Sequence, residues 1–228
     1  MSPKKVGIYA GLSALFSFLL LLSVAAGEDG AWTHLFTRDG IDVYRKTYPE
    51  TAVCAFMGVG YVDADIRVVG SVLRDIHAYP QWMDRCKASV ILKAVDRQTT
   101  LFYSIVDTPP PFKDRDMVLS NKSVFNTEQG TAEFIFQLCD QEIVPPQKDY
   151  FRVTELSGKY FLESVAADKT RVTFSYRGNP GGNIPITIAN WLESKHYPHA
   201  IIMGLREMAK KEKYLTSART DMGEEGNL

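Results

Sequence analysis

The chain has 228 residues, 26 basic side chains against 27 acidic ones and a formal net charge of −1. Neither a basic excess nor a basic stripe is present, which argues against a nucleic-acid binder. Hydrophobic residues make up 45% and aromatic residues 11% of the chain, enough for one sizeable core or for an apolar pocket.

At the start, Lys4 and Lys5 precede an uncharged apolar run from Val6 to Ala26 that closes on Val24-Ala25-Ala26-Gly27. A basic start, an apolar centre and a small-residue exit form the layout of a secretory signal. The run also reaches the roughly 20 residues that cross a bilayer, and two lysines kept inside would leave the remainder outside. A buried N-terminal helix of the domain is a third reading. Residues 1–26 are thus expected to be a signal peptide or a membrane anchor. Either places the rest of the chain outside the cytoplasm, free in a periplasm-like space or tethered to the inner membrane.

Next, 32–36 reads as a short lead-in to a turn at Arg38-Asp39-Gly40, and strand-like runs cover 41–47 and 52–62. Gly58 and Gly60 inside the second run point to a bulge or a close approach by another element. Asp63 or Asp65 can cap a helix on which Ile66, Val69, Val72, Leu73 and Ile76 recur at helical spacing. Pro80 disfavours helix at Tyr79 and should end it near 77–80. From 89 to 178 the pattern is almost all strand, with runs at 101–106, 117–124, 131–138, 150–155, 159–165 and 171–176 broken by Pro109-Pro110-Pro111, 126–130, Pro145-Pro146 and Asp168-Lys169. Short strands with short turns predict an antiparallel meander. Asn179-Pro180-Gly181-Gly182 then stops the sheet, and a long helix starts near Pro185. Ile188, Leu192, Ile201, Ile202, Leu205 and Ala209 share one of its faces; Glu193, Lys195, Glu207 and Lys210 lie off it. Pro198 should kink or split this helix, and the polar tail 216–228 is expected to be disordered.

The expected fold class is α+β, a curved antiparallel sheet wrapped around a long C-terminal helix. A cavity remains between them if the sheet curves more than the helix fills. Chemistry-bearing motifs are sparse. Cys54, Cys86 and Cys139 have no metal or disulfide spacing and read as small apolar residues. Pro198 disturbs the His196/His199 pair, which belongs to no zinc motif. Asp84, Asp107, Asp116 and Glu163 are scattered carboxylates, and there is no G-x-S-x-G elbow. Arg115, between Asp114 and Asp116, reads as a structural ion pair or turn anchor in preference to a ligand-binding cation. Met117, Leu119 and Asn121 alternate on one strand face, and Phe134 and Phe136 share another. Each face is ordinary core or cavity lining, since the two have similar composition.

Two stretches resemble a known family. Pro109-Pro110-Pro111-Phe112-Lys113-Asp114-Arg115-Asp116-Met117-Val118 is similar to the Pro-rich turn and Arg-Asp strand start of START (steroidogenic acute regulatory protein-related lipid transfer) domains. Asn179-Pro180-Gly181-Gly182-Asn183-Ile184-Pro185 with Ala189-Asn190-Trp191 is similar to that family's approach to its C-terminal helix. Asp39-Gly40-Ile41-Asp42-Val43-Tyr44 and 79–82 fit as well, so the resemblance covers about 32–213. It implies a helix-grip fold over residues 27–215, with an apolar tunnel under the C-terminal helix. It also implies one bound lipid or sterol-like molecule and no reaction; no cofactor and no metal are expected. The candidate ligand-binding residues on this reading are Trp82, Tyr103, Met117, Leu119, Asn121, Phe134, Phe136, Leu156, Ile201 and Leu205. Trp82 reads equally as a seal on the end of the first helix. Transient membrane contact is expected, and the apolar loop Ile143-Val144-Pro145-Pro146 reads as a second gate or a membrane-touching edge.

Some positions depart from the family pattern. Several members carry a second Arg six residues after the motif Arg, where this chain has Asn121, so a bidentate Arg–phosphate contact is missing there. A position of the aromatic choline cage falls at Leu156, which has no π face. Phosphatidylcholine specificity therefore does not carry over, and a less charged ligand is expected. Two alternatives remain: a cyclase- or aromatase-type enzyme of the same superfamily, and an interaction module whose core is filled solid.

Overall fold

A computed structural model describes residues 30–139 and 141–216. The expected signal or anchor, 1–26, lies outside these residues, as does the tail from 217 on; Thr216 sits in a last helical turn. Among the described residues, ten strands form one sheet: β1 (Thr33–Arg38), β2 (Ile41–Tyr48), β3 (Thr51–Val62), β4 (Cys86–Ala94), β5 (Thr99–Val106), β6 (Asp114–Asn126), β7 (Thr131–Leu138), β8 (Tyr150–Arg152), β9 (Glu155–Ala166) and β10 (Lys169–Asn179). The lead-in is thus a full strand, joined to β2 by Asp39 (φ 53°) and Gly40 (φ 67°). Positive φ at both central residues is the hairpin turn that matches strand twist, and Asp-Gly is its usual sequence.

The strand order is β1-β2-β3-β10-β9-β7-β6-β5-β4. Two features depart from a simple meander. β3 pairs with β10 rather than with β4, and β8 runs parallel to β6. The expected 150–155 run is accordingly two pieces, because Val153 and Thr154 fall between β8 and β9. Helix α1 (Ile66–Arg74) and a 3₁₀ segment (Ile76–Gln81) carry the chain from β3 to the far edge at β4. Asp65 caps α1 by accepting from the Arg67 N–H at 2.8 Å, and Val68, Val69, Val72 and Leu73 bury its apolar face. The Tyr79 hydroxyl donates to the Leu73 carbonyl and fastens the 3₁₀ segment to it.

The C-terminal helix is split, as Pro198 requires, into α2 (Ile186–Lys195) and α3 (Tyr197–Met208). The halves seat differently. Ile201, Ile202 and Leu205 of α3 are fully buried against α1 and the sheet. The two glycines of β3 allow this close approach. A Cβ at Gly58 would stand 2.9 Å from the Pro198 carbonyl, and one at Gly60 3.2 Å from Ile202 Cγ2. Gly58→Ala is therefore expected to cost about 1–3 kcal/mol by overpacking, read as a lower urea midpoint at unchanged slope. By contrast, Ala189 is the one buried residue of α2. No helix among the described residues is long and apolar enough to cross a membrane.

Candidate functional site

Under α2 the sheet is left uncovered, and a cavity of about 240 Å³ lies between them. The helix is held off the sheet at two points. Asn190 clamps onto β3, its Nδ2 donating to the Ala52 carbonyl at 2.7 Å and its Oδ1 accepting from the Cys54 N–H at 3.3 Å. Farther along α2, Glu193 accepts a hydrogen bond from the Tyr176 hydroxyl of β10. Ile188 and Leu192 turn their side chains to the space between these points.

Cross-strand register determines which sheet residues line the cavity. Antiparallel partners point to the same face, and alternate residues to opposite faces. Met117, Leu119 and Asn121 of β6 all line it, as do Phe134 and Phe136 of β7 and Leu156 of β9. Their partners on β5 are Ser104 for Met117 and Phe102 for Leu119, and both line the cavity too. Tyr103 pairs with Val118 and so faces away; its placement in the site is corrected. The remaining sequence candidates also lie elsewhere. Trp82 packs its ring edge-on to Tyr79, and its carbonyl and ring crowd Gly204 of α3, so it seals the end of the 3₁₀ segment. Ile201 and Leu205 are solid core, because the β3 glycines bring α3 down onto the sheet and leave no space there.

The aromatic wall under α2 consists of Tyr160, Phe174 and Tyr176, stacked at centroid distances of 4.7 and 5.3 Å, with Tyr197 edge-on to Tyr176 at 5.2 Å. The sequence reading did not single these out, although the i, i+2 spacing of Phe174 and Tyr176 is a usable signal. It also placed Glu193 off the apolar face, whereas the side chain lines the cavity. Burial raises the Glu193 carboxyl above its ordinary value, against the Tyr176 hydrogen bond and the Arg85 charge, which lower it. Tyr176 and Tyr197 are pushed well up by burial and then by the neighbouring Glu193. Asp84 and Arg85, 3.5 Å apart, line the same end. Asn121 is only 8% exposed, and no hydrogen-bond partner meets its side-chain amide among the described residues.

Arg115 proves to be a turn anchor. Its Nε donates to the Pro180 carbonyl at 3.2 Å and its Nη2 to the Gly181 carbonyl at 3.1 Å, and Nη1 donates to the Lys113 carbonyl. The turn it holds has φ of 61° at Gly181 and 63° at Gly182, and the Phe151 ring lies where Cβ atoms would be. Only glycine meets both conditions. Asp116, on the opposite face of β6, is 1% exposed and pairs bidentately with Arg152, at 3.0 and 2.8 Å. It also accepts from the Tyr103 hydroxyl at 2.8 Å.

His199 is buried between Asp39, 2.8 Å from its Nε2, and Arg38, 2.9 Å from its Nδ1. Among the described residues, no group of three or more metal-ligating side chains is found. Cys54 and Cys86 are buried and unpaired.

Residues 19–213 match the START domain family. The chain belongs to that family. A protein of Pseudomonas aeruginosa without an assigned function is 29% identical over 82% of this chain and 90% of its own length. The phosphatidylcholine transfer protein of Bos taurus is 25% identical over 79% of this chain and 83% of its own. Among solved structures, a STAR-related lipid transfer protein fragment from Xanthomonas axonopodis superposes with a TM-score of 0.72 at 27% identity, covering 79% of this chain and 99% of that one.

The two START stretches of the sequence meet in space through Arg115, which ties the start of β6 to the turn that launches α2. Arg115→Met is expected to destabilise this START domain by about 2–3 kcal/mol, since three carbonyls lose a charged donor. Amide exchange should quicken over 179–190. Arg115→Lys should not restore it, because an ammonium cannot present the guanidinium fork.

Proposed function

We propose that this START domain binds one lipid or sterol-like molecule in the space beneath α2, as a tunnel, and carries or sequesters it outside the cytoplasm. The observation that carries the reading is the apolar cavity with the unpartnered Asn121 amide inside it. At about 240 Å³ the cavity lies just below the range of about 300–1,000 Å³ for small-molecule sites, and its lining is largely apolar. Relatives named as lipid transfer proteins support the same class of ligand. Phosphatidylcholine is not taken over from them, because Asn121 and Leu156 stand where a charge and an aromatic ring would be wanted. The expected signal or anchor at 1–26 supports a site of action beyond the inner membrane, free if cleaved and tethered if kept.

Native mass spectrometry of protein purified from its own host tests this. A bound species released by organic solvent is expected. Apo protein alone, with no lipid extract raising its melting temperature, would sink the proposal.

Transient membrane contact fits α2 as well as the 143–146 loop. Trp191 is 55% and Ile188 46% exposed on α2, and the Lys195 ammonium sits 3.8 Å over the Trp191 ring. An amphipathic aromatic beside a cation suits a headgroup interface. Trp191→Ala is expected to slow lipid exchange with vesicles several-fold while leaving the melting temperature unchanged.

A second reading, an enzyme acting in the same pocket, draws on the Glu193–Tyr176 pair. A phenol pushed that far above neutrality is poorly matched to proton transfer at pH 7. Recovery of a bound molecule unchanged in mass after incubation separates carriage from turnover.

A further inference from the structure

Resting on the reading of the cavity as a lipid site, we propose that Glu193 on α2 is a specificity-determining residue that selects ligands with a hydrogen-bond-donating head, a hydroxyl or an ammonium, and refuses a bare phosphate. Glu193 lines the cavity, and the Tyr176 hydroxyl is its one hydrogen-bond partner among the described residues. A carboxylate oxygen has capacity for more than one donor. One placed in an apolar cavity with a single partner is left to take the second from the ligand.

The surrounding charge points the same way. Four carboxylates, Asp84, Asp107, Glu155 and Glu193, line the cavity against two guanidiniums, Arg85 and Arg115. Arg115 is committed to three backbone carbonyls, and Arg85 lies beside Asp84 at 3.5 Å. His196 stands 3.9 Å from Asp84 at the α2–α3 break, half exposed. Asp107 is paired with Lys87 at 3.5 Å and Glu155 with Arg177 at 3.4 Å, so among the described residues Glu193 is the lining acid without a salt-bridge partner, and it is the one an anionic head would meet. A neutral or cationic donor meets a fitted acceptor.

Asn121 is a second and independent polar point. Register sets it on one row with Tyr176: Asn121 pairs with Phe136, Phe136 with Gly158 and Gly158 with Tyr176. Three strand spacings, about 14 Å along the sheet, separate the two residues, and the sheet curves between them. A donor head on Glu193 and a second polar atom near Asn121, joined by an apolar body over the Phe136 ring, fit this row.

The test uses the full chain and probes of one acyl length: a monoacylglycerol, a long-chain amine, the matching methyl ester without a donor, and a lysophosphatidic acid. Binding is measured by displacement of a fluorescent fatty acyl probe. Wild type is expected to prefer the monoacylglycerol and the amine over the methyl ester and the lysophosphatidic acid by about tenfold or more. Glu193→Leu should remove that preference. Glu193→Gln should weaken the amine more than the monoacylglycerol, because it keeps an acceptor and loses the charge. Tyr176→Phe, which leaves the carboxylate in place, should keep the preference; this variant stands if Glu193→Leu fails to fold. Equal wild-type binding of all four probes overturns the head selection while leaving the lipid site intact. A preference kept in Glu193→Leu overturns it also. Binding of none overturns the site and the selection together.

Discussion

Arg152→Met is expected to destabilise the domain by about 3–5 kcal/mol, the range found when one partner of a buried ion pair is removed. Asp116 is almost fully buried, and its two oxygens are held by the Arg152 guanidinium and the Tyr103 hydroxyl. Methionine fills much of the space of arginine but leaves the carboxylate without its cation. Burial alone raises the Asp116 carboxyl; the hydrogen bonds from Arg152 and Tyr103 and the guanidinium charge hold it below its ordinary value of 3.8.

The sign of the pH dependence follows. A depressed carboxyl contributes stability that is present above its unfolded value and is lost as pH falls through its folded one. In Arg152→Met burial dominates, so folding instead favours the protonated acid and stability falls as pH rises past the ordinary value. The gap between wild type and variant, read by urea denaturation, should be full at pH 7 and narrow below about pH 4. A gap independent of pH would count against the ion pair as its source. A double variant, Asp116→Leu with Arg152→Met, should recover part of the loss, since a well-packed apolar pair carries no stranded charge.

Leu156→Trp is expected to abolish most ligand binding with little cost to folding. Leu156 is half-buried and faces the cavity, so an indole grows into empty space rather than into packed core. Displacing about four methylenes of a bound chain, at about 0.8 kcal/mol each, amounts to about 3 kcal/mol, or about 200-fold in affinity. Displacement of a fluorescent acyl probe measures the loss, and a thermal melt shifted by no more than a few degrees shows the fold is kept. The same loss together with collapse of the melt would assign Leu156 to the core instead.

Much of this fold was legible in the sequence because local rules determined it. Asp39-Gly40 names a hairpin turn, Gly58 and Gly60 mark a close approach, and Pro198 divides the helix. The site was legible only in part. Met117, Leu119 and Asn121 shared a strand and therefore a face, but placing Tyr103 with them needed the register between β5 and β6, which no single strand contains. The α2 and α3 stripes look alike, with Ile188 and Leu192 continuing into Ile201 and Leu205. One half covers a cavity and the other fills a core because Gly58 and Gly60 let α3 down onto β3, a fact about the opposite wall. Glu193 read as lying off the apolar face for the same reason: helical phase does not say what stands across the gap.

The pairing of β3 with β10 has a consequence for the order of events during synthesis. Val62 meets Thr170 and Ala55 meets Arg177, so the seam in the middle of the sheet joins an early strand to the last one made. Until β10 emerges, β3 and β9 each present a bare row of amides, the kind of edge that recruits other chains. Pairings between distant residues also form slowly. The same delay makes any fragment ending before Lys169 two unfinished sheets with open borders, prone to stick to one another.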